Sequence, residues 1–410
     1  MLPARSLAVF VSAGLVPRNG DQFYPFRQQS DFFYLTGINK PDCSLILFPD
    51  CPNPALREVL FMTQPDEQQA IWEGKGLSVE QARLGSGIEK ILQYNQFTSV
   101  LQEVMNYANE VYLNNNEYIK FHSDSESGNQ RFSGMMMKKY PLHTFRRAAP
   151  ILEKLRTIKS GEEIELLSKA ATITARAFDR VMKCTRPGKY EFEIQAEIDH
   201  EFTINRAGGH GYQPIIASGE HACTLHYTAN NSLLADGQLL LLDMGAEYAN
   251  YSADLSRTIP VNGRFNKRQK QCYDAVLRVF RQAKSLYRPG NTIEHINTQV
   301  WKLLEEEMIG LGLFNMAQVK NQSSEAPLFR KYMMHGVAHH IGLDVHDVGS
   351  KFEPLAPGMV LTLEPGIYIR EEKIGIRIEN DLLVTNGDPV DLMEGIPVEA
   401  EEIEQIMANQ

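Results

Sequence analysis

Four histidines crowd into the segment His335-Gly336-Val337-Ala338-His339-His340-Ile341-Gly342-Leu343-Asp344-Val345-His346. Imidazole is a common metal ligand, and it exchanges protons near neutral pH. Four carboxylates stand at the ends of apolar runs elsewhere. Asp243 closes Gln238-Leu239-Leu240-Leu241-Leu242, and Asp254 lies within Tyr251-Ser252-Ala253-Asp254-Leu255-Ser256-Arg257-Thr258. Glu364 closes Met359-Val360-Leu361-Thr362-Leu363, and Glu379 closes Ile374-Gly375-Ile376-Arg377-Ile378. Carboxylates gathered at the inner ends of apolar strands repel one another and are costly to bury unless something neutralises them. A pair of hard divalent cations such as Mn or Mg is the simplest remedy. Taken singly, each acid reads as a solvated strand end or an ordinary ion-pair partner. The case for a metal rests on all four together with the histidines. His226 is a further candidate, while His122, His143, His200, His210, His221 and His295 carry no assignment. The zinc-protease motif His-Glu-x-x-His is absent, because Ile204 stands where the second His would follow His200-Glu201.

The elements around these residues must bring them together. Asp236-Gly237 is a turn signal ahead of the strand ending at Asp243. The Tyr251–Thr258 run reads as the returning strand, with residues 245–250 as the connection, so Asp243 and Asp254 are expected side by side. In the Ile374–Glu379 run, alternation places Arg377 beside Glu379, where it can orient that carboxylate. Ser160-Gly161-Glu162-Glu163 has capping-box spacing, which predicts a helix from there to about Lys183. Arg186-Pro187-Gly188 follows, then a second helical pattern through Phe192, Ile194, Ile198 and Phe202. The same order recurs later. Lys267 to Leu286 is helical, Arg288-Pro289-Gly290 follows, and a helix runs through Ile293, Ile296, Val300 and Leu303. This predicts two similar halves, each a helix pair followed by strands, related by a pseudo-two-fold axis.

A domain boundary is expected near residue 150, dividing 1–150 from 151–410. The first part reads as mixed strand and helix. Leu45–Phe48 and Val59–Met62 are strands, Ile91–Tyr107 a helix, and Phe121–Gly134, with His122, a polar loop. Leu7–Val11 reads as a buried strand; a short signal segment within residues 1–16 is the alternative.

Composition closes off other classes. The chain has 410 residues, 43% hydrophobic and 22% charged, which fits a globular protein of two or three domains. Its net charge of −10 and lack of a long Lys/Arg run argue against nucleic acid as partner. No apolar run approaches the roughly 18 residues of a membrane span. The cysteines number 5, an odd count without a CxxC, which argues against a disulfide framework and for a reducing, cytoplasmic setting.

In order and local context, five of these residues resemble the metal ligands of the aminopeptidase P/prolidase family, which has the pita-bread fold. The strings that carry the likeness are Leu242-Asp243-Met244-Gly245-Ala246, Ser252-Ala253-Asp254-Leu255-Ser256-Arg257-Thr258, His335 through Asp347, Leu363-Glu364-Pro365-Gly366-Ile367-Tyr368, and Gly375-Ile376-Arg377-Ile378-Glu379-Asn380. The likeness covers about residues 150–395. It extends to Tyr24-Pro25-Phe26-Arg27-Gln28-Gln29-Ser30-Asp31-Phe32-Phe33-Tyr34-Leu35-Thr36-Gly37, which is similar to the aminopeptidase P version of the first domain. His340 departs from relatives that carry an aromatic carbocycle there.

The resemblance implies an α+β chain. It would comprise a smaller N-terminal α/β domain and a C-terminal pita-bread domain, whose curved antiparallel sheet has internal pseudo-symmetry and encloses two divalent ions, Mn2+ by type. It implies that Asp243 chelates one ion, that Asp254 and Glu379 bridge both, and that His339 and Glu364 complete the second. His226, His335 and His346 are similar to the family's other active-site histidines. Tyr368 and Arg377 match supporting positions, and Tyr212 and Asp31 match substrate-site positions. The activity implied is hydrolysis of the bond before proline in Xaa-Pro peptides. Glu364 would shuttle the proton, His346 would donate to the oxyanion, and His226 and His335 would position the residue after the scissile bond. A homo-oligomer, dimer or tetramer, is implied in the same way. An Xaa-Pro dipeptidase and a non-catalytic binding protein on the same fold are the alternatives. Creatinase-like relatives lack the metal ligands, and methionine aminopeptidases lack so large an N-terminal domain.

Overall fold

A computed structural model describes residues 2–65, 67–118 and 124–408. The chain divides into two compact units, residues 1–155 and 156–410.

The first unit is built on a mixed six-stranded sheet. Its strands lie in the order Ile91–Gln93, Glu58–Met62, Cys43–Leu47, Ser6–Val11, Glu110–Leu113, Thr144–Arg147. Ser6–Val11 lies inside the sheet, antiparallel to Cys43–Leu47 and parallel to Glu110–Leu113. Its residues are apolar without alternation because both faces are covered. Leu7 and Val9 join one core with Phe48 and Phe61, while Ala8 and Phe10 join another with Phe32 and Leu60. The strand reading of this segment therefore holds. Two expectations need correction. Ile91–Tyr107 is not one helix. Ile91 and Leu92 pair with Leu60 and Phe61 as an edge strand, a short 3-10 turn follows, and the helix is Phe97–Met105. The expected loop of 121–134 also conceals a helix, Gly128–Lys139, started by a Ser127/Gln130 capping box. Its buried face is Asn129, Ser133 and Met136, so apolar periodicity could not reveal it. Phe121–Ser123, with His122, lie outside the described residues.

The second unit repeats one plan twice. Helices Gly161–Cys184 and Glu191–Ile204 form the first pair, and Lys267–Lys284 and Ile293–Gly310 the second. Ser160 with Glu163, and Asn266 with Gln269, close reciprocal capping boxes at the leading helix of each pair. Each leading helix gives way to an Arg-Pro-Gly turn whose glycine takes positive φ, 90° at Gly188 and 92° at Gly290. Gly188 N–H donates to Leu234 O at 2.9 Å, and Gly290 N–H donates to Leu355 O at 2.9 Å. The return bonds match too, from Leu234 N to Lys189 O and from Leu355 N to Asn291 O. A second positive-φ glycine, Gly237 or Gly358, then launches a strand, Leu239–Met244 or Val360–Leu363. Leu239–Met244 pairs antiparallel with Leu255–Pro260, and Val360–Leu363 with Asn380–Leu383. The helices' apolar faces (Ala170, Phe178, Val276, Phe280) share one core with Leu240, Leu242, Leu361 and Leu363.

Between its paired strands each half carries a second small antiparallel hairpin. These are Ala246–Tyr248 with Tyr251–Ser252, and Gly366–Ile369 with Ile374–Arg377. The chain thus leaves one sheet and enters another just at the acids. Gly245 sits at the first crossing, where a Cβ would lie 1.7 Å from Ala253 O, so only glycine fits. Gly366 marks the second, where a Cβ would lie 2.8 Å from both Ile376 O and the Tyr368 hydroxyl.

Candidate metal centre

The two crossings aim their carboxylates at one point. Asp243 lies opposite Ser256 in the ladder, and Asp254 precedes the strand beginning at Leu255. They do not face each other directly in the ladder, but they sit side by side as expected. The Tyr212 hydroxyl is 2.6 Å from Oδ1 of each. From the other half, Glu364 follows Leu363 and Glu379 precedes Asn380, two residues that pair directly. His339 joins the two halves, its Nε2 lying 3.5 Å from Asp254 Oδ2 and 3.6 Å from Glu364 Oε1. One ligand atom each from Asp254, His339 and Glu379 lie within 4.8 Å of one another.

The electrostatics call for a positive charge. Burial, then Asp243 and Asp381, pushes the Asp254 carboxyl well above the ordinary range. Burial, then Asp254 and Glu364, does the same to Glu379. Tyr212 has one proton and two carboxylate oxygens at 2.6 Å, so it can satisfy only one of them. Three carboxylates, a tyrosine and an imidazole turned on one another make an oxygen-rich donor set that hard divalent cations would neutralise. Glu364 behaves differently. Burial opposes its charge, but His335, His339 and Arg377 outweigh burial and hold it at about 2. His335 Nδ1 is 3.3 Å from Glu364 Oε2, and its Nε2 is 2.7 Å from the Tyr368 hydroxyl.

Arg377 is buried, and it has partners beyond the one expected. Its Nη2 pairs with Asp243 Oδ2, its Nη1 donates to the Tyr368 hydroxyl at 3.0 Å, and its Nε donates to Ser256 Oγ at 2.7 Å. Glu379 Oε2 is 3.9 Å from Nε, and Ser256 Oγ donates to it at 2.7 Å. Arg377 thus orients Asp243 directly and Glu379 through Ser256. Strand alternation placed Arg377 beside Glu379, where it is found; regular pairing then ends at Arg377 and the chain crosses to the other sheet before Asn380, which brings Asp243 within reach too.

The remaining residues lie further apart. His346 is exposed, its ring edge-on to His339 at 4.3 Å between centroids. His226 is exposed on the turn after residues 219–223. Asp31 belongs to the first unit, where its Oδ2 accepts from Asn114 Nδ2 at 2.8 Å and Gln29 Nε2 at 3.0 Å.

Residues 165–386 match metallopeptidase family M24, and residues 1–112 match the aminopeptidase P N-terminal domain. The chain belongs to metallopeptidase family M24. It is a metal-dependent hydrolase, with divalent ions as cofactors. It is 36% identical to the Xaa-Pro aminopeptidase of Escherichia coli K12, covering 98% of this chain and 93% of that protein. It is 33% identical to human Xaa-Pro aminopeptidase 3, covering 93% of this chain and 77% of that protein. Zinc-substituted E. coli aminopeptidase P in complex with product superposes at a TM-score of 0.89, with 34% identity over 100% of this chain and 95% of that one. Pseudomonas aeruginosa aminopeptidase PepP superposes at 0.91, with 30% identity over the same shares. The expected family and its two-part fold are therefore correct.

Some supporting residues of this M24 site gave no sequence signal. Ser256 is one. Asp381 is another, a buried carboxyl that accepts from Asp254 N at 3.1 Å and that burial pushes well above its ordinary pKa. Beneath the histidine segment, Asp347 is buried between Arg156 and Lys159, with Lys159 Nζ 3.1 Å from its Oδ2. Only the crowding of charged residues around 156–163 and 344–347 hinted at it. All five cysteines are free thiols. Among the described residues no helix is long and apolar enough to cross a membrane.

Proposed function

We propose that this chain is an Xaa-Pro aminopeptidase, releasing the N-terminal residue from peptides with proline second. The observation that carries the proposal is the meeting of Asp243, Asp254, His339, Glu364 and Glu379, drawn from both halves, in a chain similar over nearly its whole length to Xaa-Pro aminopeptidases. Those five residues would hold two divalent ions, manganese in the cell. Bound there, the ions would supply an activated water and a Lewis acid.

The protein's own groups do the rest. Glu364, kept as a carboxylate by His335, takes the proton from the attacking water and delivers it to the leaving nitrogen. His346, at the exposed rim beside His339, donates to the developing oxyanion. Arg377 fixes Asp243 and, with Ser256, Glu379. Tyr368 ties Arg377 to His335. Tyr212 donates to the Asp243/Asp254 pair and borders the substrate. His226 and His335 position the residue after the scissile bond. Proline there offers no N–H and a fixed ring, so shape must select it. Asp31, in the first domain, is assigned a substrate contact on the resemblance alone. By the same resemblance the chain would work as a dimer or tetramer. Free thiols throughout support a reducing, cytoplasmic setting.

Assay of metal-loaded protein on Xaa-Pro dipeptides and Xaa-Pro-Xaa tripeptides tests the reading. Turnover of tripeptides is expected. Dipeptide turnover alone would make it a dipeptidase, and full metal occupancy without turnover would make it a binding protein.

A further inference from the structure

The segment of residues 219–231 carries His226 and belongs to no long element. Asn230 pins it to Ile216 N, Pro214 O and Gln195 Oε1, and one carboxylate gathers its two ends. Glu191, the first residue of the Glu191–Ile204 helix, has a side chain that is 0% exposed. Its Oε1 accepts from Ser218 N at 2.8 Å and Ser218 Oγ at 2.7 Å, where the segment begins. Its Oε2 accepts from Ser232 N at 2.9 Å, where the segment ends. The Tyr227 hydroxyl, from the residue beside His226, donates to the same Oε2 at 2.7 Å. The backbone joins in, since Glu191 N donates to Ser232 O at 2.9 Å. His221 stacks on the Tyr227 ring at 4.4 Å and 11°, with its Nδ1 3.6 Å from Glu191 Oε1. The base of the segment is fixed as well, because a Cβ on Gly375 would lie 2.2 Å from Ala222 O. Gly375 is in the strand that carries Arg377.

From this geometry we infer that Glu191 is the positioning residue for His226. Four neutral donors converge on one buried carboxylate, which gathers both ends of the segment and the tyrosine next to the histidine. His226 itself is exposed. Its place therefore depends on Tyr227, and the place of Tyr227 depends on Glu191. A glutamine at 191 keeps the size but turns one acceptor into a donor. Its amide nitrogen would face either Ser218 N–H or Ser232 N–H, so one end of the segment loses its carboxylate bond. This inference rests on the proposed substrate role of His226.

The test is a double-mutant cycle in metal-loaded protein with an Xaa-Pro-Xaa tripeptide. Glu191→Gln, Tyr227→Phe, His226→Ala and the two doubles with His226→Ala are compared by kcat, KM, metal content and melting temperature. Expected are full metal occupancy in every variant and a fall of about tenfold or more in kcat/KM for Glu191→Gln, with a smaller fall for Tyr227→Phe. Each double should be no worse than His226→Ala alone, since the histidine is then already out of use. Multiplicative losses in the doubles would show that Glu191 acts on something other than His226, and would overturn the inference. So would unchanged kinetics in Glu191→Gln. If Glu191→Gln fails to fold, the Tyr227→Phe arm decides alone. Wild-type kinetics in His226→Ala would instead sink the substrate role of His226, and the inference with it. A dead wild-type enzyme at full metal occupancy would sink the aminopeptidase reading itself.

Discussion

The two halves of the second domain share a scaffold but not a chemistry. Each runs from a capped helix through Arg-Pro-Gly to a strand, a sheet crossing and a returning strand. Each presents one acid at the end of its outgoing strand and one before its return, Asp243 and Asp254 in the first half, Glu364 and Glu379 in the second. The differences lie in what fills the space between helix pair and strand. The first half supplies Tyr212 and the short segment with His226. The second supplies a longer stretch that contains His335, His339 and His346. Symmetry thus gives a cage of like charges, which is unfavourable alone. The asymmetric additions, His339, Arg377 and Tyr212, complete the donor set and orient the acids for chemistry.

If the halves are equivalent as cage-makers, removing one acid from each should be equally damaging. Asp254→Ala and Glu379→Ala are both expected to lose bound metal and peptidase activity to background, measured by metal analysis and turnover on one preparation. An active Glu379→Ala variant holding both ions would break the equivalence and the site assignment together.

Metal removal probes the same cage as a stability effect. Asp254 and Glu379 have folded-state pKa values above their unfolded ones. Their contribution is therefore present below the ordinary carboxylate range, about pH 4, and lost as pH rises through the folded values. Bound cations cancel that repulsion, and binding itself strengthens as ligands deprotonate. The urea-unfolding gap between loaded and metal-free protein should widen from pH 5 to pH 8. At free ion one hundred times Kd it would be about 2.7 kcal/mol. A gap independent of pH would mean that the acids do not repel.

Arg377→Lys sharpens the asymmetry. Arg377 binds Asp243, Tyr368 and Ser256 with three different nitrogens, a fork that a point charge cannot copy. Expected is a loss of about 10- to 100-fold in activity or metal affinity. No comparable arginine touches Glu364, so the second half has no counterpart to this test among the described residues. A wild-type Arg377→Lys enzyme would reduce the residue to charge balance.

Much of this was legible in the sequence. The repeated helix pairs announced themselves through Ser160-Gly161-Glu162-Glu163 and the two Arg-Pro-Gly turns, because caps and turns are local physics. The acids stood out because strand ends are set by Pro and Gly. What was hidden depended on long-range register. Alternation in Ile374–Glu379 suggested that Arg377 would serve Glu379, and it does so through Ser256, but only the sheet crossing shows that it serves Asp243 as well. Ser256 became visible only when its strand was paired. Glu191 carried no reading in the sequence, because its partners Ser218, Tyr227 and Ser232 meet it only when the segment closes over it. The helix Gly128–Lys139 was missed because its inner face is polar.

The smallest effect expected concerns the departure at His340. Its ring is buried against Gly349, where a Cβ would lie 2.2 Å from the imidazole. Burial, then Lys159, lowers its pKa to about 4. The unfolded chain binds that proton near pH 6.5, so the contribution to stability is present above pH 6.5 and is lost as pH falls toward 4. By pH 5 the loss would be about 2 kcal/mol. His340→Phe keeps a flat ring and removes the titration. In metal-loaded protein, urea unfolding should show wild type losing about that much more than His340→Phe between pH 7 and pH 5. The ligand neighbour His339 is the same in both, so acid release of metal cancels in the comparison. Equal losses would mean that His340 takes up its proton in the folded state as readily as in the unfolded chain, and that its burial against Gly349 costs the charged form nothing.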